Sequence, residues 1–202
     1  MKVLRNKVEL IDNKDYETMV RKIEVAARSC YRSKMSKDLK GAEQFLYNLM
    51  KIGHESIIEH ESLTFKIRTD RACANQIVRH RLASYSQEST RYVDLRDFNI
   101  VLDRSYSEDE ILAITFLCEE IQGLYSHLDT RDKARCVLPL CTKTNLTITM
   151  NLRELRHFLK LRLDSHAHAS IREVANEILV IMNEKYPIFV KDIIEEYCFE
   201  WC

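Results

Sequence analysis

The chain of 202 residues is long enough to bury a substantial core and fits a domain of ordinary size. Its 31 Lys and Arg balance 31 Asp and Glu, so no overall field attracts nucleic acid or an anionic membrane. Only three glycines occur, well separated, which excludes a P-loop and a glycine-rich dinucleotide fingerprint.

The seven cysteines predict reduced thiols in a cytoplasmic protein, because they are odd in number and form no CxxC pair. The closely spaced Cys198 and Cys202 are more typical of chance than of a metal site. No segment reaches the roughly 18 apolar residues that a membrane span needs, and the first residues lack a signal-peptide pattern. We therefore expect no membrane contact.

Alternation predicts a strand at 3–11, and helical spacing predicts helices from Asp15 and over 37–51. The segment from Gly53 to His60 is predicted to be a polar turn; its two histidines, six residues apart, do not match the zinc-protease helix. A strand follows at 62–68, and Asp70 is expected to cap the next helix. The helical period fails after Ser84, so 86–91 is predicted to be a loop.

From Ser107 a long helix carries a broad apolar stripe, which is typical of a core or a subunit interface. A short helix at 131–136, a strand at 145–151, a helix at 152–162 and two further helices follow. Between them, Asp164-Ser165 favours a helix cap over metal ligation by His166 and His168. About six helices and three or four strands without a βαβ rhythm predict an α+β fold. We expect residues 1–202 to form a single domain with a central, mostly antiparallel sheet flanked by helices.

Two basic segments are candidates for a binding site. Residues 76–92 concentrate arginine, serine and glutamine, a mixture that suits an anionic nucleotide but also a basic surface turn. A second group combines Asn151, Arg153, His157 and Arg162, and Arg135 adds another basic side chain. Without a glycine loop, side chains would have to hold any phosphate.

Together these segments resemble the flavin-dependent thymidylate synthases. The likeness rests on Arg79-His80-Arg81, then seven residues to Ser89 and on to Arg91-Tyr92, and on the segments 53–60, 135–139, 151–162 and 164–167 in the same order. It covers nearly the whole chain. It implies an enzyme that makes dTMP from dUMP with bound FAD, methylenetetrahydrofolate as carbon donor and NADPH as reductant. It also implies a homotetramer whose active sites lie at subunit interfaces.

The resemblance assigns roles by position. The implied flavin contacts are Ser56, Arg79, His80, Arg81, Gln87, Asn151, Leu152, Arg153 and His157. The implied dUMP contacts are Gln76, Ile77, Val78, Arg79, Gln87, Glu88, Ser89, Thr90, Arg91, Arg135 and Arg162. Arg162 is the implied catalytic residue, since a fixed guanidinium would stabilise charge pushed into the uracil ring. No residue is assigned to a metal.

Three positions depart from the family pattern: Ser86 replaces the usual Asn, Gln87 the usual Glu, and His157 a frequent Asn. Ser89 is expected to position substrate rather than act as a nucleophile, because no histidine follows at a spacing suited to a base. Cys136 and Cys141 are expected to serve packing.

Two other functions remain open. A non-catalytic nucleotide- or RNA-binding module could use the same arginines, although zero net charge disfavours RNA. A helical oligomeric scaffold would explain the apolar stripe but not the arginines.

Overall fold

The computed structural model describes residues 1–30 and 32–197; Cys198 and Cys202 lie outside these ranges. The strands are β1 Val3–Leu4, β2 Lys7–Leu10, β3 Ser62–Asp70, β4 Ala83–Gln87, β5 Ile100–Val101 and β6 Lys143–Asn151. The α-helices are α1 Tyr16–Ser29, α2 Leu39–Lys51, α3 Arg71–Ile77, α4 Glu108–His127, α5 Arg131–Ala134, α6 Leu152–Arg162, α7 Ala169–Lys185 and α8 Lys191–Tyr197. Short 3-10 helices cover Glu55–His60, Arg135–Val137 and Pro187–Phe189.

The central sheet has the order β2-β3-β6-β4, and all of its pairs are antiparallel. A separate parallel pair joins β1 to β5. Alternate residues of β3 and β6, such as Phe65 and Ile148, are buried under α3, α6 and α7, because side chains of a strand point to opposite faces in turn. The opposite face is half-buried, and Thr64 and Thr149 lie hydroxyl to hydroxyl across it at 3.0 Å. The predicted α+β fold is confirmed.

Local signals placed several helix starts correctly. The carboxylate of Asp70 accepts a hydrogen bond from the backbone N–H of Cys73 at 2.7 Å and caps α3. Ser107 caps α4 and shares a reciprocal capping box with Glu110.

Other boundaries differ from the predictions. Residues 86–91 are not simply a loop, because β4 extends to Gln87 and pairs with β6. The predicted strand at 3–11 is divided into β1 and β2. α7 is capped by His168, whose Nδ1 accepts from the N–H of Ser170 at 3.2 Å, whereas Asp164 bonds His166 within its own turn.

The apolar stripe of α4 is only partly buried. Cys118 joins a small second core with Phe98, Ile100 and Leu102. Phe116 and Leu117 on the same helix are 68% and 59% exposed in the single chain. This helix therefore presents an uncovered apolar face. No helix among the described residues is both long enough and apolar enough to cross a membrane.

Candidate active site

The loop that carries Arg79, His80 and Arg81 is fixed from the neighbouring strand. It runs from the end of α3 to the start of β4. The Tyr85 hydroxyl on β4 donates to the carbonyl oxygens of Ile77 at 2.9 Å and His80 at 2.6 Å. Burial raises the pKa of Tyr85 to about 12, so the hydroxyl keeps its proton at neutral pH. The loop is thus held at His80 and at the last residue of α3.

His80 lies at the centre of a hydrogen-bonded chain. Its Nδ1 lies 3.0 Å from Oε1 of Glu154, and its Nε2 accepts from Nε of Arg162 at 3.1 Å. His80 and Glu154 are 5% and 7% exposed, and the ring of Phe158 packs edge-on against the imidazole. Burial lowers the pKa of His80 and the charge of Arg162 lowers it too, while the Glu154 hydrogen bond opposes them. The geometry therefore favours a neutral imidazole.

The predicted site arginines differ in whether a carboxylate of the protein already pairs with them. Arg79 and Arg81 are exposed, and neither side chain makes a hydrogen bond or ion pair with any described residue. Arg162 is half-buried, and among the described residues its guanidinium uses only Nε, in the bond to His80. By contrast, Arg153 binds Glu59 at 2.5 Å and Arg91 binds Asp132 at 2.9 Å. Guanidinium groups without a protein partner are available to an anion.

A second group of predicted residues lies beyond β4. Glu88 accepts hydrogen bonds from Nζ of Lys143 at 3.0 Å and Nδ2 of Asn145 at 2.6 Å. Burial would raise the pKa of Glu88, but these bonds outweigh it and lower the pKa. Gln87 donates weakly to Thr144 at 3.3 Å. The missing charge at position 87 is thus accompanied by a fixed carboxylate at position 88.

Thr90 and Arg135 line a cleft of about 440 Å³ together with Arg71, Asn75 and Asp132. Ser89 accepts a bond from the backbone N–H of Arg91 at 3.3 Å. The packing role expected for Cys136 is wrong, because this thiol is exposed at the edge of the same cleft. Cys141 does pack, with its Sγ 3.8 Å from that of Cys118.

A third group surrounds the start of α6. Ser56, His54 and Arg153 line a cleft of about 330 Å³. The side-chain oxygen of Asn151 accepts from the N–H of Glu154 at 2.8 Å and caps α6, and Leu152 is fully buried. Leu152 can therefore offer only its backbone to a ligand, and the same holds for the fully buried Ile77. Gln76 and Val78 are half-buried on α3 and its C-cap.

The loop of the first group and the residues of the second group lie at the two ends of β4. Leu82 and the five residues of β4 separate Arg81 from Glu88, and β4 alone is about 17 Å long as an extended strand. Arg162 lies at the first end through its bond to His80, and Arg135 lies at the second end in the cleft beside Thr90, which Asn75 of α3 also lines.

Sequence patterns missed Glu154 as a member of the site. It also belongs to a cluster in which ligand atoms of His80, Glu154 and His157 lie within 4.8 Å of one another. The guanidinium of Arg162 lies 3.1 Å from His80, which disfavours a second cation there. The cluster is better described as a hydrogen-bonded network than as a metal site.

Comparisons with known proteins agree with the motifs. A family model described as thymidylate synthase complementing protein matches residues 9–188. Flavin-dependent thymidylate synthases of Geobacter sulfurreducens and Mycobacterium tuberculosis are 36% and 33% identical, over 84% and 78% of this chain and 80% and 72% of theirs. The Pyrococcus furiosus protein of the same name is 40% identical over 71% of this chain, which spans 63% of that relative.

A solved structure shares the fold. The UMP/dUMP methylase PolB from Streptomyces cacaoi, crystallised with 5-Br dUMP, superposes with a TM-score of 0.80. The match covers 95% of this chain and 96% of that chain, at 24% identity. At that identity the likeness supports the fold alone.

Proposed function

Because the chain belongs to the flavin-dependent thymidylate synthases, a family of methylating enzymes, we propose that it converts dUMP to dTMP. The proposal includes methylenetetrahydrofolate as carbon donor, and NADPH as the electron source through bound FAD. We also propose that residues 1–202 act as one domain and that the protein works in the cytoplasm. The family resemblance and the enzyme class predicted from the sequence are confirmed by these comparisons.

The observation that carries the proposal is the group of uncommitted guanidinium groups around buried His80. Arg79 and Arg81 suit the phosphates of a dinucleotide, because a guanidinium fork binds phosphate oxygens two at a time. The cleft beside Ser56 and Arg153 offers further polar contacts. These residues fit a flavin dinucleotide, with side chains in place of a glycine loop. When bound, FAD supplies the electron transfer that the methylation requires.

Arg162 is proposed as the catalytic group. A positive charge held near the uracil ring stabilises negative charge that develops in the ring, and this makes carbon 5 of uracil more nucleophilic. The guanidinium is suited to this role because it stays protonated and is held through its Nε. Ser89 and Arg135 would position the nucleotide from the other side.

The proposal also requires a second copy of the chain. The predicted dUMP contacts include residues at both ends of β4, a strand about 17 Å long, and the apolar face of α4, with Phe116 and Leu117, is uncovered. A homotetramer that pairs the two halves from different subunits would satisfy both observations. Light scattering of the active protein tests the mass, and an active monomer would contradict this arrangement.

Subunit mixing tests the shared site more sharply. Arg162→Ala and Arg135→Ala variants should each be inactive, and a mixture refolded together should regain activity. Recovery is expected because a hybrid pair contains one site with both native arginines if they come from different chains. No recovery, with hybrid formation shown by native mass spectrometry, would place both arginines in a single-chain site.

The first experiment is the assay of purified protein for flavin content and for dTMP formed from dUMP, methylenetetrahydrofolate and NADPH. We expect a yellow protein that makes dTMP. Arg162→Ala should keep its flavin and lose at least about 100-fold in turnover, the cost of removing a preorganised transition-state donor. Arg96→Ala is the matched control, because Arg96 is exposed and, within the described part of the chain, its side chain bonds to Asp94 of its own turn. Nucleotide binding without turnover would instead favour a binding module.

A further inference from the structure

The hydrogen-bonded chain of Glu154, His80 and Arg162 defines the tautomer of His80. The Nε of a guanidinium can only donate, so Nε2 of His80 must present its lone pair to Arg162. The ring proton then lies on Nδ1 and is donated to Glu154. Both ring nitrogens are therefore engaged within the protein, at a ring that is 5% exposed.

Glu154 and Arg162, the two ends of this hydrogen-bonded series, cannot meet without His80 between them. Glu154 and Arg162 lie eight residues apart on α6, which is about 12 Å along the helix axis. His80 comes from the loop before β4 and spans the gap between the first and last turns of α6. The position of Arg162 thus depends on a residue of another element and on a carboxylate two turns away.

The charges of Glu154 and Arg162 balance when the His80 between them is neutral. Glu154 and Arg162 have opposite charges, and the imidazole between them donates at one nitrogen and accepts at the other. Protonation of His80 would remove the acceptor and place a second cation 3.1 Å from Arg162.

Other groups that face His80 are few. His157 on α6 lies 5.7 Å away between ring centroids, and its charged form would also disfavour a charged His80. The Tyr85 hydroxyl on β4 bonds the backbone carbonyl of His80. Its loop neighbours are Arg79 and Arg81. Glu154 is the one group among these that stabilises the protonated ring.

We propose that Glu154 and His80 are positioning residues for Arg162. Glu154 fixes the tautomer of His80, and His80 fixes the Nε edge of Arg162 and leaves both Nη groups free for the uracil ring. Preorganisation of this kind removes the cost of orienting the guanidinium during the reaction. This inference rests on the proposed function of Arg162 and assigns a role to Glu154, which no motif indicated.

Two substitutions of Glu154 separate the effect of its negative charge from the effect of its hydrogen-bond acceptor. Glu154→Gln retains an oxygen that accepts from Nδ1, whereas Glu154→Leu removes the acceptor. We expect Glu154→Leu to lower kcat by at least 10-fold with a smaller change in the KM for dUMP, and Glu154→Gln to recover most of that loss. Glu184→Gln, an exposed carboxamide variant on α7, is the control. Equal kcat in all three variants would overturn the proposal.

The pH profile provides a signature that a merely structural role would not give. Activity requires neutral His80 and falls as the pH drops through the pKa of His80. Glu154 is the group that raises this pKa, so Glu154→Gln should move the acidic limb of kcat to lower pH. In Glu154→Gln, an acidic limb of kcat at unchanged or higher pH would contradict the proposed positioning role of Glu154 and His80.

Hydrogen–deuterium exchange at C2 of each histidine, followed by mass spectrometry, measures the pKa of His80 without any assay of function. We expect a pKa below that of free histidine in the native protein and a further decrease in Glu154→Gln. If the native protein makes no dTMP, the proposed function fails even where these pKa changes occur. If the native protein makes dTMP but Glu154→Gln leaves the pKa of His80 unchanged, the proposed positioning role of Glu154 is wrong. If a chelator abolished activity and Zn²⁺ restored it, the cluster of His80, Glu154 and His157 would be a metal site and the proposed positioning role would be wrong.

Discussion

The strongest stability prediction concerns Arg156, which is 1% exposed. It donates to Asp192 at 2.7 Å through both Nη atoms, to Glu55 at 2.9 Å and to the carbonyl of Phe189 at 2.5 Å. These bonds attach α6 and the C-terminal helix α8 to the 3-10 helix that carries Ser56. Arg156→Met would keep the apolar packing but leave two carboxylates without this partner.

Removing one partner of a buried ion pair costs about 3–5 kcal/mol. The lower end applies here, because the Glu55 and Asp192 side chains are 20% and 26% exposed and Nζ of Lys160 lies 3.9 and 3.7 Å from them. We therefore expect Arg156→Met to lower the free energy of unfolding by about 3 kcal/mol. Urea unfolding of the flavin-free protein, at one protein concentration for all variants, measures this value.

Lys133→Met is the matched control, because its pair with Asp129 has both side chains at least 65% exposed. Exposed pairs contribute about 0–1 kcal/mol, so this change should be nearly neutral. A triple variant that also carries Glu55→Gln and Asp192→Asn should regain much of the loss, since no unpaired carboxylate remains. A cost below about 1 kcal/mol for Arg156→Met, equal to that of the control, would refute the reasoning.

The contact between Arg156 and Asp192 also makes the stability of the protein depend on pH. Burial raises the pKa of Asp192, but the Arg156 hydrogen bonds outweigh it and lower the pKa below its ordinary value. A lowered folded-state pKa contributes stability at neutral pH, and that stability is lost as pH falls through the folded-state pKa. In Arg156→Met, Asp192 would lose its main pKa-lowering partner and keep the weaker interaction with Lys160, so the difference in stability between the native protein and the variant should narrow in acid.

Three further outcomes are expected. Tyr85→Phe should lower the free energy of unfolding in urea by about 1–3 kcal/mol and raise the KM for dUMP, because the backbone carbonyls of Ile77 and His80 lose their donor. Burial would raise the pKa of Glu24, but hydrogen bonds from Ser36 and Arg28 lower it to about 2. The stability that Glu24 contributes should therefore persist to low pH in the native protein and be absent in Glu24→Gln. Iodoacetamide at pH 8 should modify exposed Cys136 and spare Cys73, whose pKa is raised to about 12 by burial, as peptide mass spectrometry will show.

Local chemistry explains which elements could be predicted. Asp70 and Ser107 cap helices through bonds to residues three positions later, so their signals lie within a few residues of sequence. β4 was missed because its strand character depends on pairing with β6, some sixty residues away. Its segment alternates half-buried Ala83, Tyr85 and Gln87 with exposed serines, a pattern too polar to indicate a strand alone.

The site was predicted in part for a related reason. Motif spacing identified the arginines but not the state of each guanidinium. Arg153 and Arg79 look equivalent in sequence, yet Arg153 is paired with Glu59 and Arg79 has no partner among the described residues. Which arginine is free depends on the carboxylates that the fold places near it, and those contacts cross between elements.

Glu154 illustrates the limit most clearly. The apolar residues Leu152, Leu155 and Leu159 define the buried face of α6, and Glu154 lies off that series, where exposure is expected. It is 7% exposed because the loop with His80 closes over it. Its place in the first turn suits a carboxylate, since the helix N-terminus is partly positive, but that advantage does not require burial. The bond to His80 offsets the cost of burying this carboxylate, and His80 in turn accepts a hydrogen bond from Arg162. The cost of a buried carboxylate is therefore best explained by the orientation of that one guanidinium.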